Sequence, residues 1–198
     1  MSCDASFISR GLVVKTIVVA ILGVCISPPA FAQCSADQQG TVRQQLTAQY
    51  AKEEAANKNK DVGAILAMRV GNCTGVDSDG GKTSCADLVN YTKQLMGALG
   101  TVMSASDAIQ ALRTDCRSAT ATVAQHFVRT QMMAGKMRNV DTSAVQDETW
   151  VETPDGWKFQ SVANVHARRW YVDGKRVDPH KPFDPDAPPY NPPITADE

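Results

Sequence analysis

Charge of one sign is what this chain most lacks: across 198 residues, 20 Lys and Arg stand against 21 Asp and Glu, a formal net charge of −1. That near balance argues against nucleic acid as a partner, since neutralising phosphates takes a concentrated basic surface. Arg168-Arg169 is only a pair. After the first 32 residues no apolar run approaches the ~20 residues of a membrane span, and no internal repeat is present. The sequence has no Ser-His-Asp order around a nucleophile elbow, no Walker glycine loop and no dinucleotide fingerprint. It also has no CxxC pair and no histidine at ligand spacing from a cysteine, so neither metal nor cofactor is expected.

What is present begins with an address. Arg10 and Lys15 give residues 1–32 a positive start, Thr16 to Ile26 is nearly all apolar, and Ala30-Phe31-Ala32 is a small-x-small cleavage site. Export to the periplasm or the medium is expected, with no membrane attachment after cleavage before Gln33. The remaining stretch of about 166 residues has the length of one domain. At the far end, residues 178–198 hold seven of the ten prolines. Proline locks φ and lacks an amide donor, so this tail is expected to be extended, and mobile unless it lies on the domain.

Cys3 and Cys25 belong to the leader, which leaves Cys34, Cys73, Cys85 and Cys116. An even count in an exported domain points to two disulfides, although four cysteines allow three connectivities. Cys73 with Cys85 is favoured, and Cys34 with Cys116, because the first pair closes a Gly- and Asp-rich segment that has little apolar material of its own.

Helical spacing runs through Thr41 to Ala56, where Val42, Leu46, Tyr50 and Ala51 form one stripe. Asn57 to Asp61 interrupts it. Asp61 is placed to cap a second helix carrying Val62, Ile65, Leu66 and Met68, and Asp87 to Leu99 reads as a third. Ser106 to Leu112 reads as one further turn. Ala119 to Met133, rich in Thr and Val, reads as a long strand, followed by a turn at Gly135-Lys136. Val145 to Thr153 and Trp157 to Arg169 read as strands about the turn Pro154-Asp155-Gly156, with Trp157, Phe159, Ser161, Ala163 and Val165 as the core face. Asp173-Gly174 marks a smaller hairpin.

Helix, Asn-rich break, helix, loop, helix and long strands with Thr149-Trp150-Val151, Gly156-Trp157-Lys158-Phe159 and Asp173-Gly174-Lys175 make an order that resembles the nuclear-transport-factor-two-like (NTF2-like) superfamily, its SnoaL-like branch in particular. The resemblance spans about Thr41 to Val177. It implies a cone-shaped α+β domain in which N-terminal helices pack on a curved antiparallel sheet. It also implies a pocket between helices and sheet, and a homodimer through the outer sheet face. By the same resemblance Asp77 and Glu148 fall near acidic positions of family isomerases. Glu53, not tyrosine, takes the helix-one position, and Tyr50 lies about one turn further from Asp61. Isomerase activity is therefore not carried over.

The ligand-binding set expected from these readings is Trp150, Glu148, His126, Tyr91 and Arg129, with Glu148, His126 and Asp77 as the acid-base candidates. Gln146, Glu148 and Trp150 share one strand face, and lining a pocket is one reading of it. The other has Trp150 as core and Glu148 as a surface charge. His126 is expected inward beside Glu148, and His166 exposed. Arg129 either meets an acidic ligand or pairs across strands with a residue such as Glu152, and Tyr91 either offers a hydroxyl to the pocket or packs. Met132, Met133 and Met137 gather near a strand turn, as soft packing or a dimer face. The function expected is binding of a small apolar or amphipathic molecule. The alternatives are a protein-interaction module using the sheet face and a cofactor-free isomerase or lyase.

Overall fold

The computed structural model describes residues 34–76 and 80–192. The expected export signal and Asp77 lie outside these residues. Helix α1 (Ala36–Asn59) starts at a capping box, in which the Ser35 side chain accepts from Gln38 N and the Gln38 side chain accepts from Ser35 N. It ends at Lys60, in the left-handed region at φ 54°. Asp61 then caps α2 (Val62–Ala67) by accepting from Ala64 N at 2.9 Å. Strands β1 (Arg69–Val76) and β2 (Lys82–Ser84) follow, then α3 (Cys85–Ala98), capped by Ser84.

Four long strands make the body of the sheet: β3 (Leu99–Thr114), β4 (Ser118–Met133), β5 (Lys136–Thr153) and β6 (Gly156–Val172). The sheet order is β2-β1-β6-β5-β4-β3, and the short β7 (Lys175–Arg176) pairs with β6. All pairings are antiparallel except β1 with β6, so the sheet is mixed rather than wholly antiparallel. Ser106 to Leu112 is not a separate turn. It is the middle of β3, held by pairing with β4, a non-local partner that local spacing does not reveal.

The β4–β5 ladder is regular from end to end, whereas β3 and β6 each shift register three times against it. Each shift adds a residue to β3 or β6, and such bulges bend a strand and increase its twist, which curves the sheet around the helices. Two of the β6 bulges carry Asn164 and Ala167 at φ 53° and 50°. The shift near Gln160 also reverses the alternation of β6. Trp150 pairs with Phe159 but Glu148 pairs with Val162, so the inward face passes from Trp157 and Phe159 to Val162. Ser161 and Ala163, expected inward, pair instead with Thr149 and Asp147 on the outer face. The expected hairpin turn is present, with Asp173 and Gly174 both at positive φ, 50° and 78°.

Both expected disulfides form. Cys34–Cys116 (Cα–Cα 5.5 Å) ties the start of α1 to the β3–β4 turn, and Cys73–Cys85 (4.6 Å) ties β1 to the first residue of α3. The proline-rich segment folds back on the sheet end: Val177 N donates to Trp170 O and Tyr190 N to Arg176 O, each at 2.9 Å. No helix among the described residues is long and apolar enough to cross a membrane.

Candidate functional site

Two apolar clusters lie between helices and sheet. One gathers Val42, Leu46 and Tyr50 of α1 with Ala119, Ala121 and Val123 of β4, Trp150 and Trp157. The other gathers Ala56, Ile65, Met96 and Leu99, with Phe127 packed against them. Along α1 the stripe passes from Tyr50 to Ala56 through Glu53, and along β4 the inward face passes from Val123 to Phe127 through Gln125. A polar belt therefore separates two apolar compartments. Facing positions on the other strands complete it: Asp107 pairs with Gln125, Ala121 with Glu148, and Val123 with Gln146.

Glu148, only 3% exposed, is the centre of the belt. Its Oε2 accepts from Tyr50 Oη at 2.8 Å and from Trp150 Nε1 at 3.3 Å, and its Oε1 accepts from Gln146 Nε2 at 2.7 Å and Gln125 Nε2 at 3.3 Å. Trp150 Nε1 also donates to Tyr50 Oη at 2.9 Å, and the two rings meet edge to face at 5.3 Å. Four donors occupy the carboxylate oxygens, which is how a buried carboxylate is kept satisfied. Burial still raises its pKa, against the pull of the Gln146, Tyr50 and Trp150 hydrogen bonds. The Tyr50 hydroxyl is pushed up by burial and by the neighbouring Glu148 charge, so it remains a donor.

Glu53 and Asp107 complete a group of three inward carboxyls. Burial, then the charges of Glu148 and Asp107, push Glu53 up to about 8, with Arg69 opposing. Burial and Glu148 push Asp107 to about 7, with a hydrogen bond from Gln125 opposing. Such values suit proton transfer or hydrogen-bond donation at neutral pH. The Arg69 charge acts on both Glu53 and Glu148; its guanidinium lies over the Phe159 ring at 5.6 Å, and its Nη1 is buried without a hydrogen-bond partner. A cavity of about 400 Å³ between α2, β1 and α3 has Arg69 in its wall, together with Leu66, Val89 and Asn90. Arg69 thus joins a surface opening to the belt.

Of the residues expected to form a site, Trp150 and Glu148 are brought together inside the cone. His126 is not: the β4–β5 register puts it opposite Ser143 on the outer face, where Nε2 meets Asp141 Oδ1 at 2.8 Å, with both side chains about half exposed. Its same-face neighbours, Ala124 and Val128, are outward residues too. Tyr91 is 62% exposed on α3. Arg129 is buried, but at the far end of the cone; it donates to Gln131, Thr142 and the Phe127 carbonyl and stacks on the Phe127 ring, and Glu152 is not its partner. Met132 and Met137 pair across strands on the outer face, about half exposed.

Asp107 and Arg69 are not singled out by the sequence; the resemblance marks Glu53 only as taking the helix-one position of the family isomerases, and Tyr50 as part of the α1 stripe about one turn away from that position, neither as a ligand-binding residue. Glu53 left one signal: it lies three residues after Tyr50, inside the buried stripe of α1, where a charged residue contradicts the pattern. Asp107 was hidden by misreading β3, and Arg69 had no signal at all. Among the described residues no group of His, Cys, Asp and Glu has the geometry of a metal site.

No protein-family profile and no curated sequence matches this chain. Solved structures do. A putative scytalone dehydratase from Novosphingobium aromaticivorans DSM 12444 superposes with a TM-score of 0.61 at 9% identity, covering 82% of this chain and 100% of that one. A putative dehydratase of the NTF2-like family from Streptomyces avermitilis gives 0.50 at 13% identity, over 63% and 95%. An NTF2-like protein from Cytophaga hutchinsonii ATCC 33406 gives 0.50 at 12%, over 61% and 93%. At these identities the fold is what is shared.

Proposed function

This chain has the NTF2-like fold, as the resemblance of its sequence implied, and from that premise we infer an exported domain of SnoaL-like type that binds a small amphipathic molecule inside the cone. The observation that carries the reading is the polar belt itself. Three inward carboxyls and a guanidinium with an unpartnered Nη1 converge between two apolar clusters, an arrangement that weakens a core and suits recognition. The ligand's apolar body packs beside the aromatic residues, an acceptor atom of the ligand accepts a hydrogen bond from Arg69 Nη1, and the protonated Glu53 carboxyl donates a second hydrogen bond. Glu148, already satisfied by four donors, positions Tyr50 and Trp150 and does not touch the ligand. The two disulfides support an oxidising compartment.

The same groups are the ones a cofactor-free lyase or isomerase would use, with Asp107 as proton acceptor and Glu53 as donor. Two of the similar structures are named as putative dehydratases. A different reading, a dimerisation or partner-docking module, is favoured by Met103, Met132 and Met137, which lie half exposed on the outer face of the sheet.

Native followed by denaturing mass spectrometry of the oxidised protein tests the binding reading. A specific co-purifying compound is expected, with occupancy lost in folded Arg69→Met and Glu53→Gln variants. Equal occupancy in parent and variants would remove the belt from recognition. A protein that is empty and appears only as a dimer favours the outer-face reading.

A further inference from the structure

A second cavity, of about 530 Å³, lies away from the belt under the proline-rich segment. Its floor is the start of β5, the end of β6 and the β6–β7 hairpin, and its roof is the chain from Val177 to Asn191, which arches between its anchors at Trp170 and Arg176. Four prolines line the roof; they hold its shape with little conformational freedom and offer no amide donors. The volume is within the range of ~300–1,000 Å³ usual for small-molecule pockets.

The chemistry of the lining is specific. Phe183 and Tyr190 present rings, each with a guanidinium over it: Arg138 at 5.1 Å and Arg176 at 5.9 Å. Lys175 and Lys181 add two more cations. The three lining aspartates are committed elsewhere. Asp173 accepts from Arg138 Nη1 and Asn139 N, Asp178 from His180 N and Lys181 Nζ, and Asp184 from Asp186 N. Arg138 has one edge occupied by Asp173, while its Nε is buried without a partner.

We propose that this arch is a binding site for a small aromatic carboxylate. The ring lies beside Phe183 and Tyr190, and the carboxylate takes the unoccupied Nε edge of Arg138, the planar donor pattern that matches a carboxylate. The prolines complete the apolar wall. The site shares no residue with the belt, so it stands whether or not the cone binds a ligand.

Amide-resolved NMR titration of the oxidised full chain with 1-naphthoate, and separately with 1-naphthalenemethanol, tests it. Saturable shifts are expected at Arg138, Phe183 and Tyr190, with the alcohol binding about tenfold more weakly for want of one charge-assisted hydrogen bond. The Phe183→Ala/Tyr190→Ala variant, altered only in the arch, should lose the response. Arg138→Gln should bring acid and alcohol to equal affinity. No saturable shift at these residues, shifts confined to residues around Arg69 and Tyr50, or equal affinity of acid and alcohol for the parent protein would each overturn the proposal.

Discussion

The Tyr50 hydroxyl donates to Glu148 Oε2 at 2.8 Å across 98 positions of sequence, and in the same geometry accepts from Trp150 Nε1 at 2.9 Å. One hydroxyl therefore serves a buried anion and a buried indole at once and fixes helix α1 against β5. Tyr50→Phe leaves Glu148 with one donor fewer and Trp150 Nε1 with only its 3.3 Å contact to Glu148. The expected loss is ~1–3 kcal/mol, the usual penalty for an unsatisfied buried polar group. Urea denaturation of Tyr50→Phe, Glu148→Gln and the double variant checks it; a coupling energy near zero would contradict the pairing.

Stability should fall as pH rises through the neutral range. Glu53 and Asp107 are pushed up, from 4.5 to about 8 and from 3.8 to about 7. Between those limits the folded state holds protons that the unfolded state has released. The stabilisation is complete below the unfolded values and is lost as pH climbs through the folded ones, with a slope on the order of 1 kcal/mol per pH unit for each group. Asp147 acts the other way. Hydrogen bonds from Thr122 and Asn164 hold its pKa down, so its contribution is lost as acid is added. Denaturation midpoints from pH 5 to 8 should fall steadily for the parent, and less steeply for Glu53→Gln, which leaves Asp107 and Glu148 as the groups with raised pKa.

The two disulfides should differ in weight. Cys34–Cys116 spans 82 residues and Cys73–Cys85 spans 12. Loop-closure entropy gives ~4.5 kcal/mol for the former and ~3 kcal/mol for the latter. Denaturant midpoints of the Cys34→Ser/Cys116→Ser and Cys73→Ser/Cys85→Ser variants should therefore lie in that order, the long loop being the more damaging to open.

His126→Ala should do little. The His126–Asp141 pair is half exposed on the outer face, and such substitutions usually change stability by less than about 0.5 kcal/mol. Ligand occupancy of the cone, measured by native mass spectrometry, should equal that of the parent. A loss of occupancy would mean that the outer face reports on the interior.

The sequence by itself determined the elements whose signals are local. The capping residue Asp61, the Asp173-Gly174 turn, the stripe from Val42 to Tyr50 and the Trp-flanked hairpin each depend on neighbours within a few positions, and all appear where expected. Cysteine spacing was enough to favour the pairing that forms. Only the tertiary structure decided which face of each strand looks inward. A bulge inserts one residue and reverses the alternation from there on, so Ser161 and Ala163 turned outward, while His126 faced solvent because its whole strand was registered that way. The belt was decided at the same level. Glu53, Asp107, Glu148 and Arg69 come from four separate elements, and their shifted protonation comes from shared burial, a property of the assembled interior that no stretch of chain carries alone.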